Sequence, residues 1–205
     1  NSVAPILVSQ ELGRQKSTFG KSLLPMDLRR YYVDNLKLTS QGQAERLLAE
    51  MGLLNMDEFD KYAENKMPLL KNLMQMSDLN IRKAYQLSFS QLPRVASFIG
   101  TSNRFDLLTD PTGSRRFLCV EVKRTIDCTH IEHDQIYAQL RAELLAGRRD
   151  WFTKEEEQVL QAQNAAFYRV CPAEDVFHSY FRAATPGEKS LELTAAQIFR
   201  ELQQK

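Results

Sequence analysis

The chain has 205 residues and 43% hydrophobic content, enough to bury the core of one α/β domain or of one domain with a small appendage. With 27 basic and 26 acidic side chains the formal charge is +1, so no global basic field points to nucleic acid, and any such contact must come from local patches. Cys119, Cys128 and Cys171 stand at unrelated spacings and make no disulfide framework, which fits a reducing, cytoplasmic setting. No apolar run reaches membrane-spanning length and no signal peptide is visible; a start at Asn1-Ser-Val without an initiator Met reads as a piece of a longer polypeptide.

Residues 5–9 read as a buried strand, and Ser17 to Leu24 as a helix stopped by Pro25, which cannot continue a helix without losing a hydrogen bond. Tyr31 to Asp34 is a short second strand. Thr39 or Ser40 caps a helix that runs to Met51 and stops at Gly52, and Leu53 to Asp57 is an apolar strand ending in acid. Between Asp60 and Met76, Leu69, Leu70, Leu73, Met74 and Met76 recur at helical spacing and read as core. Leu79 to Arg94 is turn-rich and β-leaning, which predicts a hairpin or extended loop, and Val95 to Thr101 is a further buried strand ending in the polar run Thr101-Ser-Asn103.

After a turn at Thr109 to Ser114, Arg115 to Val122 reads as a strand entered through two arginines. The rest is helical: His133 to Ala146 closed by Gly147, Thr153 to Tyr168 opened by the capping box Thr153-Lys-Glu-Glu156, then Glu174 to Ala183 and Thr194 to Gln204. Strands alternating with helices and then helices alone predict a parallel α/β sheet at 1–125, with a helical region at 126–205.

Two stretches carry the chemistry. The first strand runs into Gly13-Arg14-Gln15-Lys16-Ser17-Thr18 at the start of a helix, a layout that gathers backbone N–H groups and a helix N-terminus around phosphate oxygens. Lys16 would reach the β and γ phosphates of ATP and Ser17 would offer its hydroxyl to Mg²⁺. In the usual phosphate loop glycines stand where this chain has Gln10 and Gln15, so Gln15 either turns outward or itself bonds the nucleotide. The second stretch ends in Asp57, to hold the metal's water shell, and Glu58, to orient and deprotonate the attacking water.

Asn103, at the tip of the strand beside the acidic one, can help position that water, because catalytic groups of a parallel sheet cluster at the carboxyl ends of its strands. An arginine from a neighbouring subunit, Arg116 or Arg115, can neutralise charge developing on the γ-phosphate. Adjacent residues on a strand face opposite ways, so the two cannot share that role; Arg116 is preferred.

Gly13-Arg-Gln-Lys-Ser-Thr-Phe19, Leu54-Asn-Met-Asp-Glu-Phe-Asp60, Pro93 to Asn103 and Asp110-Pro-Thr-Gly-Ser-Arg-Arg-Phe117 together resemble the virulence-associated protein E group of phage and mobile-element proteins, over residues 4–170. The ATPase domain of that group is similar to superfamily 3 helicases of the AAA+ class. The resemblance implies a P-loop fold, a hexameric ring with ATP between subunits, and often a primase-like domain upstream. It also implies that residues 81–94 match the hairpin such motors point at DNA, single-stranded or forked and without regard to sequence, with Arg82 and Lys83 as the basic positions.

The leading expectation is an ATP-hydrolysing motor on DNA, and the alternative is a nucleotide-gated DNA-binding or assembly module in which Gln10 and Gln15 suppress hydrolysis. A small-molecule kinase lacks an acceptor motif. Cys128, His130 and His133 want a fourth ligand for zinc and read as an ordinary loop, and Trp151 with Phe152 reads as packing under the helical tail.

Overall fold

The computed structural model describes residues 3–62, 64–81, 88–109, 114–169, 172–185 and 187–203. Its centre is a five-stranded parallel sheet in the order β2-β3-β6-β1-β7, with β1 at Ala4–Val8, β2 at Tyr32–Val33, β3 at Leu53–Met56, β6 at Ser97–Ser102 and β7 at Phe117–Glu121. Register runs Ile6 opposite Gly100, Ala4 opposite Phe117 and Met56 opposite Gly100, so every carboxyl end lies along one edge of the sheet.

Period-two alternation distributes each strand between two cores. Ile6, Leu54, Met56 and Phe98 face one side, where they meet α2 (Gln41–Glu50), α3 (Met67–Gln75) and the antiparallel hairpin β4 (Asp78–Ile81) and β5 (Ser90–Pro93). Leu7, Tyr32, Leu53 and Ile99 face the other, with Phe19 and Leu24 from α1 (Lys16–Ser22) and its end, and Val122 and Ile126 packed on them. At Gly100 an added Cβ would lie 2.6 Å from Ile6 Cδ1, so the three central strands close up through a missing side chain.

Local signals fixed several boundaries. Ser40 Oγ accepts from Gln43 N–H at the start of α2, and Thr153 with Glu156 forms the reciprocal capping box of α5 (Lys154–Asn164). At the end of α4 (His133–Leu145), Gly147 has φ +81° and Arg148 N–H donates to Glu143 O, a left-handed stop.

Other boundaries moved. The apolar stripe forms α3 with Leu70, Leu73 and Met74 buried, as its spacing predicts, but the helix starts only at Met67, its first turn set by Pro68, and the segment before it makes two 3-10 turns. The last core strand begins at Phe117, while Ser114–Arg116 form a 3-10 turn, so the two arginines do not alternate across a strand. Trp151 is 54% exposed, with the Arg149 guanidinium 5.6 Å over its ring, so it does not pack under a helical tail.

As an edge strand β7 presents open backbone groups, and α5 closes them. Asn164, fully buried, donates Nδ2 to Phe117 O at 2.7 Å and accepts Cys119 N–H on Oδ1 at 3.2 Å. The chain divides by contacts into residues 1–168 and 169–205. The second unit holds α6 (Pro172–Tyr180) and α7 (Ala195–Gln203), the latter capped by Thr194, whose Oγ1 accepts Gln197 N–H. Among the described residues no helix is long and apolar enough to cross a membrane.

Candidate functional site

The turn between β1 and α1 needs left-handed backbone twice. Gly13 sits at φ +77° with open space within 4 Å of where a Cβ would stand, so its requirement is conformational; Gln15, at φ +64°, takes the same region with a side chain attached. Gln15 is exposed and stands at the rim of the cavity described next. Between them Arg14 is tied down, its guanidinium to Glu11 at 2.6 Å and its carbonyl to Ile126 N–H at 3.2 Å.

This loop and the carboxyl ends of β3 and β6 enclose a cavity of about 270 Å³, lined by Leu12 to Thr18, Asp57, Glu58, Thr101 and Asn103. Lys16, 9% exposed, enters it from the first turn of α1. Its ammonium donates to Asn103 Oδ1 at 2.9 Å and to Ser9 O at 3.2 Å. Burial pushes the Lys16 pKa below its usual value, and the negative charges of Asp57 and Asp60 push back.

Asp57 collects two hydroxyls on one oxygen: Ser17 Oγ donates to Oδ1 at 3.2 Å and Thr101 Oγ1 donates to it at 2.6 Å. Glu58, at φ +50°, turns the chain away from β3 and pairs with Lys61 Nζ at 2.5 Å. Among the expected site residues, Gly13 to Thr18, Asp57, Glu58 and Asn103 come together from three strand ends separated by up to 90 positions of chain. Thr101 joins them unforeseen, since a threonine one step inside a buried strand carries no pattern of its own.

The donor set suits a magnesium triphosphate. A carboxylate and a hydroxyl within 3.2 Å offer hard oxygen ligands, and a buried ammonium and a helix N-terminus offer positive charge to phosphate.

Arg115 and Arg116 lie elsewhere. Because Phe117 pairs with Ala4 and Glu121 with Val8, the arginines stand at the amino end of β7, a five-residue strand away from the cavity, roughly 16 Å at about 3.3 Å per residue. Arg115 faces Glu157 at 3.9 Å beside a separate open cavity that Trp151 and Phe152 line, and the Nε of Arg116 is buried without a hydrogen-bond partner among the described residues. Neither can reach the cavity of the same chain. The hairpin expected at residues 81–94 is present as β4 and β5, while Arg82 and Lys83 lie outside the described residues. His133, one of the three potential zinc ligands, donates its Nε2–H to Ser22 O at 2.7 Å and fastens α4 to the end of α1.

A family model described as the virulence-associated protein E-like domain matches residues 2–169, and a domain of unknown function from B. Theta (DUF3874) matches residues 170–205. No curated protein matches. Among solved structures, the apo structure of the NrS-1 C terminal region is similar at 19% identity and a TM-score of 0.46, over 81% of this chain and 36% of that one. An A form apo structure of the same region gives 18% and 0.44, over 80% and 34%. The chain thus spans about a third of the solved chains it resembles.

Proposed function

Over residues 2–169 the chain belongs to the virulence-associated protein E-like domain family, and from that premise we propose that it is an ATP-hydrolysing motor domain acting on DNA. One observation carries the reading: Lys16, Ser17, Asp57, Glu58 and Asn103 line a single cavity at the carboxyl edge of a parallel sheet. In this reading the domain serves replication of a phage or mobile element, in a ring of like subunits with a primase-like domain upstream.

In this reading Ser17 and Asp57 would hold Mg²⁺, which would neutralise charge on the phosphates. Lys16 leaves Asn103 and Ser9 for the β and γ oxygens, and the charges of Asp57 and Asp60 oppose the lowering of its pKa by burial. Asn103, released, turns its amide toward the attacking water. Glu58 must part from Lys61 before its carboxylate can take that water's proton, and the pair is exposed enough for the exchange to cost little. Arg116 or Arg115 would act on the cavity of the next subunit, since the strand length rules out its own. Residues 81–94, with Arg82 and Lys83, would contact DNA through phosphate.

The test is ATP hydrolysis by the full-length, oligomeric protein with and without single-stranded DNA. Glu58→Gln should lower turnover by about 10²-fold or more while ATP binding persists, as loss of a general base does. A Glu58→Gln variant as fast as wild type would end the reading. The left-handed Gln15 and the Glu58–Lys61 pair favour one alternative, a module that binds ATP and scarcely hydrolyses it. It wins if ATP binds tightly and stays intact with DNA present.

A further inference from the structure

The run Thr101-Ser102-Asn103 gives each of its three side chains to a different charged group: Thr101 to Asp57, Ser102 to Asp60 and Asn103 to Lys16. The middle contact has no place in the chemistry above, and neither Asp60 nor Ser102 is among the described residues lining the cavity. Ser102 is 1% exposed. Its Oγ accepts Arg104 N–H at 3.0 Å, closing the turn that has Asn103 at its centre. Its single proton has two acceptors in reach, Asp60 Oδ1 at 2.7 Å and Arg104 O at 3.0 Å, and the shorter, charge-assisted bond goes to the carboxylate.

Asp60 stands two residues past Glu58, in the 3-10 turn Phe59–Lys61. The bond from Ser102 therefore ties the loop that carries Glu58 to the turn that carries Asn103. Lys61, which engages Glu58, is in that same turn.

We infer that Asp60 and Ser102 are a positioning pair that locks the Glu58 loop and the Asn103 turn into one unit, so that a shift of Asn103 on nucleotide entry is passed to Glu58. This rests on the ATPase reading for its consequence, though not for its geometry. Neither residue touches substrate. Asp60 acts through Ser102, and Ser102 through the Arg104 amide that shapes the turn. A misplacement of catalytic groups by about 1 Å can cost on the order of 10²-fold in rate, so a hydrogen bond behind the cavity wall is enough to matter.

Three variants test it: Ser102→Ala, Asp60→Ala and the double variant, with Asp60→Asn as the conservative change that keeps an acceptor for the Ser102 hydroxyl. Single-turnover hydrolysis should fall by about 10-fold or more in each Ala variant, and no further in the double variant, because both remove one link. ATP affinity should stay within about twofold in Ser102→Ala, which keeps the Asp60 charge acting on Lys16, and should be alike in Asp60→Ala and Asp60→Asn, which both remove that charge, while at saturating ATP Asp60→Asn should recover most of the rate lost in Asp60→Ala. A second readout needs no turnover. The Asn103 side-chain amide, followed by ¹H–¹⁵N correlation in the nucleotide-free protein, should move in both Ala variants and hold its position in Asp60→Asn. An unmoved Asn103 amide in Ser102→Ala and Asp60→Ala overturns the inference, as does a full additive loss in the double variant. A moved amide in a protein that never cleaves ATP upholds the link and sinks the ATPase reading instead. Should Ser102→Ala fail to fold, the contrast between Asp60→Ala and Asp60→Asn decides by the same two measurements.

Discussion

The two ends of the same parallel strands are furnished in opposite ways. At the carboxyl ends of β1, β3 and β6, polar groups already hold one another: Lys16 with Asn103, Ser17 and Thr101 with Asp57, Ser102 with Asp60. At the amino end of β7, Arg115 is half exposed and 3.9 Å from Glu157, and Arg116 buries an Nε that nothing among the described residues accepts from. Internal satisfaction at one end gathers the groups ahead of ligand arrival, and Lys16, Asn103 and Glu58 then exchange their present partners for nucleotide and water. At the other end a half-exposed, loosely paired Arg115 and an Arg116 whose Nε lacks an acceptor among the described residues leave cationic donors that an anion from outside the chain could engage. One chain thus holds most of one site at the top of its sheet and, on our reading, the missing charge of another at the bottom.

The strongest way to break that comparison is to remove the arginines. In the assembled protein, Ala at whichever of Arg116 and Arg115 acts in trans should lower ATP turnover by about 10³-fold or more, the effect such arginines have where they stabilise phosphoryl transfer. ATP affinity of a dilute, dissociated subunit should not change. Mixing Glu58→Gln subunits with the arginine variant should restore turnover in part, because some junctions then pair an intact acid with an intact arginine. If mixing restores nothing and the dilute subunit loses affinity, the arginine works within its own chain and the contrast between the two ends fails.

Much of the carboxyl end could be read in the residues. The phosphate loop, the acidic strand end and Asn103 each follow an apolar run, and β-strand runs followed by polar tips mark the edge where a parallel sheet does its chemistry. Thr101, Ser102 and Asp60 escaped for a physical reason. Their partners lie more than 40 positions away, and a hydroxyl at a buried strand position signals nothing until the neighbouring strand's register is known. The amino end was less legible still. Arg115 and Arg116 look like the first residues of a strand because Phe117 to Glu121 follow without a break, yet Ser114–Arg116 coil into a 3-10 turn and the inference from alternation lapses. Asn164 has no local mark either. An asparagine near a helix end usually suggests a terminus, whereas here its amide substitutes for a missing strand.

That amide offers a second, smaller way to sharpen the contrast, by loosening the arginine end while leaving the cavity alone. Asn164→Ala strips Phe117 O of its donor and Cys119 N–H of its acceptor, two buried backbone groups at the start of β7. Each unsatisfied group costs about 1–3 kcal/mol, so the variant should lose on the order of 3 kcal/mol in denaturant unfolding. ATP affinity should hold, because β7 meets the phosphate loop at its other end, where Val122 N–H donates to Val8 O. Turnover in the assembled protein should fall with the displacement of the arginines. Loss of affinity without loss of stability would mean the two ends are not separable in this way.

The smallest expected effect comes from Gln15, which with Glu58 is one of two non-glycine residues lining the cavity in left-handed backbone. Gln15 holds φ +64° at the N-terminus of α1, a region that costs an L-residue roughly 1–2 kcal/mol. Glycine removes that strain and also adds unfolded-state freedom worth roughly 0.5–1 kcal/mol, so Gln15→Gly should gain between about 0 and about 1.5 kcal/mol in stability. The same change clears a side chain from the lining of the cavity and lets backbone approach phosphate more closely. ATP affinity, followed by titration, should therefore rise severalfold, with a matching rise in turnover if the loop limits hydrolysis. A fall in affinity would carry the opposite lesson: the exposed Gln15 amide swings in to bond the nucleotide, and the chain has exchanged the closeness of bare backbone for a side-chain contact.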